Sequence, residues 1–380
     1  MSTGPNTLPV RRRIYFLSGF DPRGASYYYR LFNEQLHHLG LRQGCDVRLG
    51  RRRPSQGDRL LSRWPVEGLS AQPHELVFLH WDDIARQNWP RQPLPLIWDS
   101  LCMYGWYVLR GGHRRIARWS SRVALVGHYP VMALALAVTT ALATGGLAML
   151  LCRMLVPSWW LAAPVAVAVT ALILRLNWAL AERLGVVWLV RSIRFTHQLG
   201  QARDGDLRCR VQSLAQEICA LEADAGAEEI TLVGHSSGSF VMAMLAAELR
   251  RQTDWSRLRP RLRLLSLGQN LANLAVHPGA RRFHQDLIQL AQEPRSAWAD
   301  ITSHHDYLCF AGVDPYRSCG LPIPSGEPYP NLRLIDLATP RGIRSWWQLI
   351  GCQFDLHFDY LRSCRSDAAE FDLWSLVLEV

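Results

Sequence analysis

The sequence of this 380-residue chain predicts an α/β fold, in which a mostly parallel sheet is covered by helices and interrupted by an inserted helical hairpin. Two observations predict this class. Short apolar segments with strand character alternate with segments of helical periodicity, which is the pattern of parallel strands joined by crossover helices. Two long charge-free segments also divide the strand candidates into two groups. We therefore expect one sheet that is built from both sides of a hairpin.

Length and composition support a folded chain. Hydrophobic residues make up 49% and charged residues 19%, which excludes a disordered protein. At about 150 residues per domain, the length allows two or three domains, or one large domain with an insertion. We predict that residues 1–122 and 179–380 form one α/β domain and that residues 123–178 form the hairpin. All 42 basic residues are arginine, so chemistry that requires a lysine is excluded.

The first part of the chain contains two strand candidates. Arg13–Ser18 has strand composition and ends at Gly19, Ser26–Leu39 has helical periodicity, and Leu76–Trp81 has the pattern of a second strand. The apolar run after Arg13 has only seven residues, too few for the core of a signal peptide. The sequence therefore predicts no cleaved signal.

The segment before the hairpin is basic and aromatic. Residues 95–119 are consistent either with a helix lying against anionic lipid headgroups or with an ordinary helix covering the core. Five arginines between Arg110 and Arg122 precede a long apolar run, which is typical of a membrane flank and disfavours a nucleic-acid partner. Nine cysteines without a CxxC pair predict neither a disulfide framework nor a zinc site.

The hairpin consists of two charge-free runs, Val123–Cys152 with 30 residues and Met154–Leu174 with 21. A bilayer core of about 30 Å requires about 20 helical residues, so both runs are long enough to span it. We predict two antiparallel transmembrane helices; the alternative is a buried hairpin in a large soluble protein. Arginines flank both outer ends, whereas the turn carries only Arg153. The positive-inside rule therefore predicts that both flanking parts and both termini are cytoplasmic, next to the inner leaflet.

The second part continues the alternation of strands and helices. Leu207–Ala223 is predicted to be a helix, Glu229–Val233 a strand and Phe240–Leu249 a helix. Three further segments have the pattern of strands: Arg263–Leu267, Trp298–Thr302 and Leu332–Asp336.

The most informative motif follows the strand that ends at Val233. Gly234, His235, Ser236, Ser237 and Gly238 match G-x-S-x-G, between an apolar strand and a helix rich in small residues. A serine on this tight turn projects its hydroxyl at the carboxyl end of the strand, and close packing around it requires glycine. We interpret Ser236 as a nucleophile; the alternative is a Gly-Ser turn in a Rossmann-like fold.

With this motif in this position, the chain resembles the α/β-hydrolase superfamily, and the resemblance covers everything except the hairpin. It implies that a serine nucleophile, an acid and a histidine base follow one another along the chain. His357 is the only histidine after Asp306 and is therefore the candidate base. His304 and His305 are less favoured, because they would place the base and the acid on one loop.

The acid implied by the resemblance lies after the strand candidate Trp298–Thr302. Asp306 fits this position best. Asp300 lies within the strand, and Asp314 follows later in a turn; both remain alternatives.

An oxyanion hole needs two backbone N–H donors. The resemblance implies that they belong to Ser237, directly after the nucleophile, and to Phe20, in the loop after the first strand. This loop has Ser18-Gly19 where the superfamily frequently has His-Gly. Asp21 and Arg23 in the same loop either contact substrate or close a turn.

These observations lead to a functional hypothesis. We expect a membrane-anchored serine hydrolase that cleaves a carboxylic ester or thioester of a lipid or acyl substrate, without a metal or organic cofactor. Ser236, His357 and Asp306 would form the triad, with an acyl-enzyme intermediate. The alternatives are an acyltransferase or thioesterase with the same nucleophile, and a non-catalytic membrane scaffold or binding protein on a hydrolase fold.

Overall fold

The structure is a computed structural model. It describes residues 12–53, 59–69, 73–90, 92–155, 158–224, 226–258, 261–292, 294–323, 329–362 and 371–379. Residues 1–11, which precede the apolar run considered in the signal-peptide prediction, lie outside these ranges, as does Cys364.

A single sheet contains strands from both sides of the hairpin. The strands are β1 (Arg12–Leu17), β2 (Arg48–Leu49), β3 (Leu61–Glu67), β4 (His74–Leu79), β5 (Glu229–His235), β6 (Arg261–Leu267), β7 (Ala297–Thr302) and β8 (Asn331–Leu334). Their spatial order is β2-β3-β4-β1-β5-β6-β7-β8. From β4 to β8 all neighbours are parallel, whereas β3 is antiparallel to β2 and β4. The predicted α/β class with a mostly parallel sheet is confirmed.

Two strands at one side of the sheet were missed by the sequence pattern. β3 contains Pro65, which cannot donate a ladder hydrogen bond and therefore weakens the pattern of a strand. β2 has only two residues and no periodicity. The six predicted strands all form, with ends that differ from the prediction by one or two residues.

Helices cover both faces of the sheet. They are α1 (Ala25–Gln43), α2 (Asp82–Gln87), α3 (Pro93–Leu109), α4 (Gly112–Trp119), α5 (Ser121–Leu155), α6 (Trp159–Arg183), α7 (Val186–Gly200), α8 (Gly205–Asp224), α9 (Gly238–Arg251), α10 (Thr253–Leu258), α11 (Leu271–Ala275), α12 (Arg281–Ala291), α13 (Pro315–Cys319), α14 (Trp346–Gly351), α15 (Gln353–Asp359) and α16 (Leu373–Leu378). Tyr15 of β1 faces a core formed with α8, α9 and α12. Phe16 faces a second core formed with α1, α15 and α16. Alternate side chains of β1 therefore point into the two cores on opposite faces of the sheet.

The inserted hairpin consists of α5 and α6. Both helices are largely exposed, and by length and composition both are able to cross a membrane. They pack closely: Gly145 faces Thr170, and Asn177 Nδ2 donates a hydrogen bond to the Ala137 carbonyl at 2.9 Å. The second helix continues to Arg183, beyond the boundary predicted at residue 178. Arg175 ends the charge-free run, but a single charge does not end a helix.

The segment before the hairpin forms two helices, α3 and α4. Gly111 separates them in a left-handed conformation with φ 67°. Ile116, Trp119 and Val123 pack against a small apolar cluster of Ala272, Phe310 and Val313. Residues 116–123 therefore form the foot of the hairpin, and they lie against loops that follow β6 and β7.

The chain order of the strands defines where a site is expected. From β1 the chain proceeds to α1 on one face, whereas α8 leads into β5 on the other face. The order of strands therefore reverses between β1 and β5. In parallel sheets, ligands bind at the carboxyl edge beside such a switch point. The loops after β1 and β5 meet there, and they carry Phe20 and Ser236.

Candidate active site

Ser236 lies on a strained turn between β5 and α9. Its φ is 56°, a left-handed conformation that is uncommon for residues other than glycine. A Cβ atom at Gly234 would approach the Gly238 carbonyl oxygen to 2.6 Å, and one at Gly238 would collide with the Leu17 and Ser18 carbonyls. Only glycine fits at both positions. The turn therefore holds the Ser236 side chain at the carboxyl edge of the sheet.

His357 and Asp306 form a buried hydrogen-bonded pair. His357 Nδ1 lies 2.7 Å from Asp306 Oδ2, and the other carboxylate oxygen accepts the Leu308 N–H at 2.9 Å. A carboxylate accepts hydrogen bonds, so Nδ1 of His357 carries the proton and Nε2 is available as a base. Nε2 has no hydrogen-bond partner among the described residues.

The loop after β6 lies against both His357 and Ser236. A Cβ atom at Gly268, after β6, would lie 3.3 Å from Cε1 of His357. Two residues later, Asn270 Nδ2 donates to Ser236 Oγ at 3.2 Å. Ser236 and His357 therefore both lie beside the loop after β6, and Asp306 joins them through its hydrogen bond to His357.

Asn270 is a site residue that the sequence analysis missed. Its backbone N–H donates to Ser239 Oγ at 3.1 Å, and the Ser239 hydroxyl donates to the Ser236 carbonyl at 2.6 Å. The neighbouring Gln269 side chain donates to the Phe310 and Val313 carbonyls. The backbone at Asn270 is thus held in place beside Ser236. Its position in the sequence was a signal for this role. Asn270 follows the predicted strand Arg263–Leu267, and that strand pairs with the strand that leads to Ser236.

α15 also anchors the loop that carries the acid. Gln353 Oε1 accepts the Tyr307 N–H at 2.7 Å, and Gln353 Nε2 donates to the His305 carbonyl at 2.9 Å. Tyr360, directly after α15, accepts the Ser303 N–H at 2.9 Å. The helix that carries His357 therefore also holds the loop that carries Asp306, through residues at both of its ends.

His235 packs against His357, the candidate base. Burial, and next the nearby His357, lower the pKa of His235 to about 3, so its ring is neutral at physiological pH. His235 Nε2 lies 2.7 Å from the His357 carbonyl oxygen, and the two ring centroids are 4.9 Å apart. The neutral ring donates this bond and so holds the His357 backbone.

The predicted oxyanion donors flank Ser236. A Cβ atom at Gly19 would lie 3.0 Å from the Ser236 Cβ, so the loop after β1 packs directly on the serine. The N–H groups of Phe20 and Ser237 donate to no acceptor within the part of the chain that the structure describes. Phe20 stacks on Phe195 with centroids 4.7 Å apart, which fixes the loop.

The alternative acids and bases lie away from this arrangement. Asp300 accepts the Ser266 hydroxyl within the sheet, and burial raises its pKa to about 8. Asp314 caps α13 by accepting the Tyr316 N–H at 2.8 Å. His304 is exposed, and His305 Nδ1 lies 3.3 Å from Asp336. Only Asp306, among the acids considered, contacts His357.

Asp21 and Arg23 bind each other in the loop after β1. Arg23 Nε lies 2.8 Å from both Asp21 carboxylate oxygens, and the guanidinium lies 3.9 Å from the Tyr27 ring centroid. Asp21 also accepts the Tyr28 hydroxyl at 2.9 Å. These contacts support a closed turn at this position.

No three His, Cys, Asp or Glu side chains converge to hold a metal ion within the described ranges. Two open clefts of about 740 and 940 Å³ share Arg263 and Ala297 in their linings. These residues lie at the amino ends of β6 and β7, at the edge opposite Ser236. The site itself is narrow, because Ser236 is only 5% exposed.

Comparisons with known proteins found no match. The chain matches no protein-family model, no curated protein and no solved structure.

Proposed function

We propose that the chain is a membrane-anchored serine hydrolase of the α/β-hydrolase type. It cleaves a carboxylic ester or thioester of a lipid or other acyl substrate. The observation that carries this proposal is the buried His357–Asp306 pair, with Nε2 unpartnered among the described residues, beside a serine held at φ 56°. Strain at a buried polar residue is typical of catalytic positions.

In the proposed reaction, Ser236 Oγ attacks the substrate carbonyl carbon while His357 Nε2 takes the hydroxyl proton. Asp306 orients the imidazole and stabilises its charged form. The N–H groups of Phe20 and Ser237 bind the oxyanion of the tetrahedral intermediate. The intermediate collapses, and the leaving alcohol or thiol takes the proton from His357. Water, activated by the same base, then attacks the acyl-enzyme, and a carboxylic acid and free Ser236 are released.

The membrane part of the proposal is supported by α5 and α6. Both are largely exposed and apolar. Arg122, at the start of α5, donates to the His304 carbonyl and lies 5.5 Å from the Tyr307 ring centroid. The foot of the hairpin is therefore in contact with the loop that carries Asp306. With α5 and α6 in the bilayer, this contact holds the site close to the cytoplasmic membrane surface, where lipid acyl groups are the abundant esters.

A fluorophosphonate probe, which reacts with activated serines, tests the chemistry in membrane fractions. We expect the wild type to be labelled and the variants Ser236→Ala, His357→Ala and Asp306→Asn to lose labelling. Asp314→Asn is the matched control, because this acid caps α13 away from the site and should leave labelling intact. A folded, membrane-inserted wild type that stays unlabelled would contradict the proposal and favour the non-catalytic scaffold.

A further inference from the structure

α14 presents an unusual apolar surface. Trp346 is 53% exposed, Trp347 is 77% exposed and Ile350 is 42% exposed, whereas Leu349 on the other side of the helix is buried. The two indole rings contact each other edge to face, with centroids 4.8 Å apart. Large apolar side chains clustered at a surface mark an interaction site rather than chance exposure.

The helix that presents this surface is rigidly built. Ser345 caps α14 by accepting the Gln348 N–H, and the Gln348 side chain accepts the Ser345 N–H, so a complete capping box is present. Gln353 Nε2 donates to the carbonyl of Leu349 at 2.9 Å. The fold therefore holds the tryptophans outward, and they are not merely carried on an unstructured loop.

α14 is connected to the active site and to the hairpin. It leads directly into α15, which carries His357 and, through Gln353, holds the acid loop. Phe354 of α15 packs on Trp188 with centroids 5.0 Å apart, and it fills the space beside Gly185 at the end of α6. The helix that carries the exposed tryptophans is thus connected, through α15 and Phe354, to the end of a candidate membrane span.

An exposed arginine beside α14 fits an anionic membrane surface. No Asp or Glu occurs from Leu337 to Phe354, and of the two arginines in this stretch Arg341 pairs with Asp359. Arg344 is exposed. Tryptophan beside arginine is the composition of segments that lie at the boundary of headgroups and acyl chains.

We propose that Trp346, Trp347 and Ile350 insert into the interfacial layer of the bilayer and hold the entrance of the active site against the membrane. This rests on the proposed function and specifies its substrate class: an acyl ester presented by a lipid surface rather than a soluble ester. α14 then acts as a membrane contact separate from the hairpin, and it is placed one helix away from the catalytic base.

The test uses the full chain, reconstituted in vesicles of phosphatidylcholine and anionic phosphatidylglycerol. A phospholipid with a diazirine on its acyl chain crosslinks to protein on illumination, and mass spectrometry maps the labelled peptides. We expect label on the α14 peptide. The comparison is the α1 peptide that contains Leu41, which is 66% exposed but lies near the end of a helix that runs away from the carboxyl edge. Equal labelling of both peptides, or none on α14, would overturn the proposal.

Activity provides the second measurement, on a long-chain ester in the vesicles and on a soluble short-chain ester. The double variant Trp346→Ser/Trp347→Ser should lose about tenfold in turnover of the vesicle ester and keep turnover of the soluble one; Leu41→Ser should change neither. Equal losses on both esters would indicate a structural role and sink the proposal. If the wild type cleaves neither ester but α14 is crosslinked, the hydrolase assignment fails and the membrane contact stands.

Discussion

The Ser236 hydroxyl receives a hydrogen bond from Asn270, and His357 Nε2 has no hydrogen-bond partner among the described residues. An amide N–H occupies one lone pair of Oγ, so the hydroxyl proton is directed elsewhere. His357 is the base available for that proton. Asn270 is in contact with the reacting oxygen and therefore belongs to the proposed catalytic machinery.

We predict that Asn270→Asp, which keeps the shape but removes the donor, lowers kcat about tenfold or more. The loss corresponds to one hydrogen bond to a reacting atom, about 1–2 kcal/mol. KM should change little, because the amide positions the nucleophile and not the substrate. The rate of fluorophosphonate labelling should fall in parallel. An unchanged labelling rate in a folded variant would show that the contact has no catalytic role.

At the scale of elements, the contact between β1 and the start of α9 shapes the nucleophile turn. A Cβ atom at Gly238 would collide with two backbone carbonyls, of Leu17 and Ser18, neither of which can move as a side chain would. The turn and the loop that carries Phe20 therefore depend on each other. Any residue larger than glycine at position 238 must separate Ser236 from the loop that carries Phe20.

We predict that Gly238→Ala lowers the stability of the full chain in detergent by about 1–3 kcal/mol, as overpacking does in a core. It should also slow labelling of Ser236. Gly205→Ala is the control, because nothing lies within 4 Å of a Cβ atom at this first residue of α8. Thermal unfolding followed by circular dichroism compares the two. Equal melting temperatures would show that the close approach at Gly238 is relaxed at little cost.

The junction of α3, α7 and α11 contains two buried histidines. Tyr107 Oη lies 2.9 Å from His277 Nε2, and Trp106 contacts both His277 and His197. Burial, as the largest cause, lowers the pKa of His277 to about 3 and that of His197 to about 4. Both rings are neutral in the folded chain, and the unfolded chain binds their protons below about pH 6.5.

This arrangement predicts acid sensitivity of the folded state. The contribution of the two neutral histidines to the free energy of unfolding is fully present above about pH 6.5. It falls as the pH decreases towards 3, by up to about 1.4 kcal/mol per pH unit for each histidine. The melting temperature of His277→Gln should therefore fall less between about pH 7 and pH 5 than that of the wild type. His37→Gln, at an exposed position of α1, should behave like the wild type. Identical pH profiles for all three proteins would contradict the prediction.

For the whole molecule, the hairpin is an insertion into one sheet. β1 pairs with β4 on one side and with β5 on the other, and β4 and β5 are separated in the chain by the hairpin. The sheet is therefore complete without α5 and α6. Within the described residues, the foot of the hairpin, residues 116–123, contacts the small apolar cluster beside the acid loop, and the adjoining parts of α5 and α6 pack on α3 and α7.

We predict that deleting residues 138–176 and closing the gap with a short Gly-Ser loop releases the chain from the membrane. The design joins Ala137 to Asn177, which already contact each other. The apolar remainder of α5 is shorter than the roughly 20 residues needed to span a bilayer. Alkaline carbonate extraction should leave the wild type in the pellet and the variant in solution.

Because the foot is retained, the shortened chain should still be labelled at Ser236. A soluble, folded but unlabelled variant would show that the distal hairpin shapes the site. A variant that stays in the pellet would contradict the role of α5 and α6 as the anchor.

Much of the fold followed from local patterns, because they depend on neighbours in the chain. The six predicted strands and the long apolar helices were of this kind, since alternation and uninterrupted hydropathy are visible in short windows. β3 was not, because its Pro65 is tolerated only through its place in an antiparallel pair near the side of the sheet. The break at Gly111 required a backbone conformation that a helical pattern does not reveal.

The sequence by itself determined the strand–turn–helix around Ser236, the order of serine, acid and histidine, and the two charge-free helices. The tertiary structure decided which carboxylate contacts His357, because sequence position favoured Asp306 over Asp300 and Asp314 but did not give the direction of their side chains. It also decided that Asn270 contacts Ser236 and that Phe354 of α15 packs beside Gly185, after the end of α6. These contacts join residues distant in the chain, and only the packing of loops at one edge of the sheet brings them together.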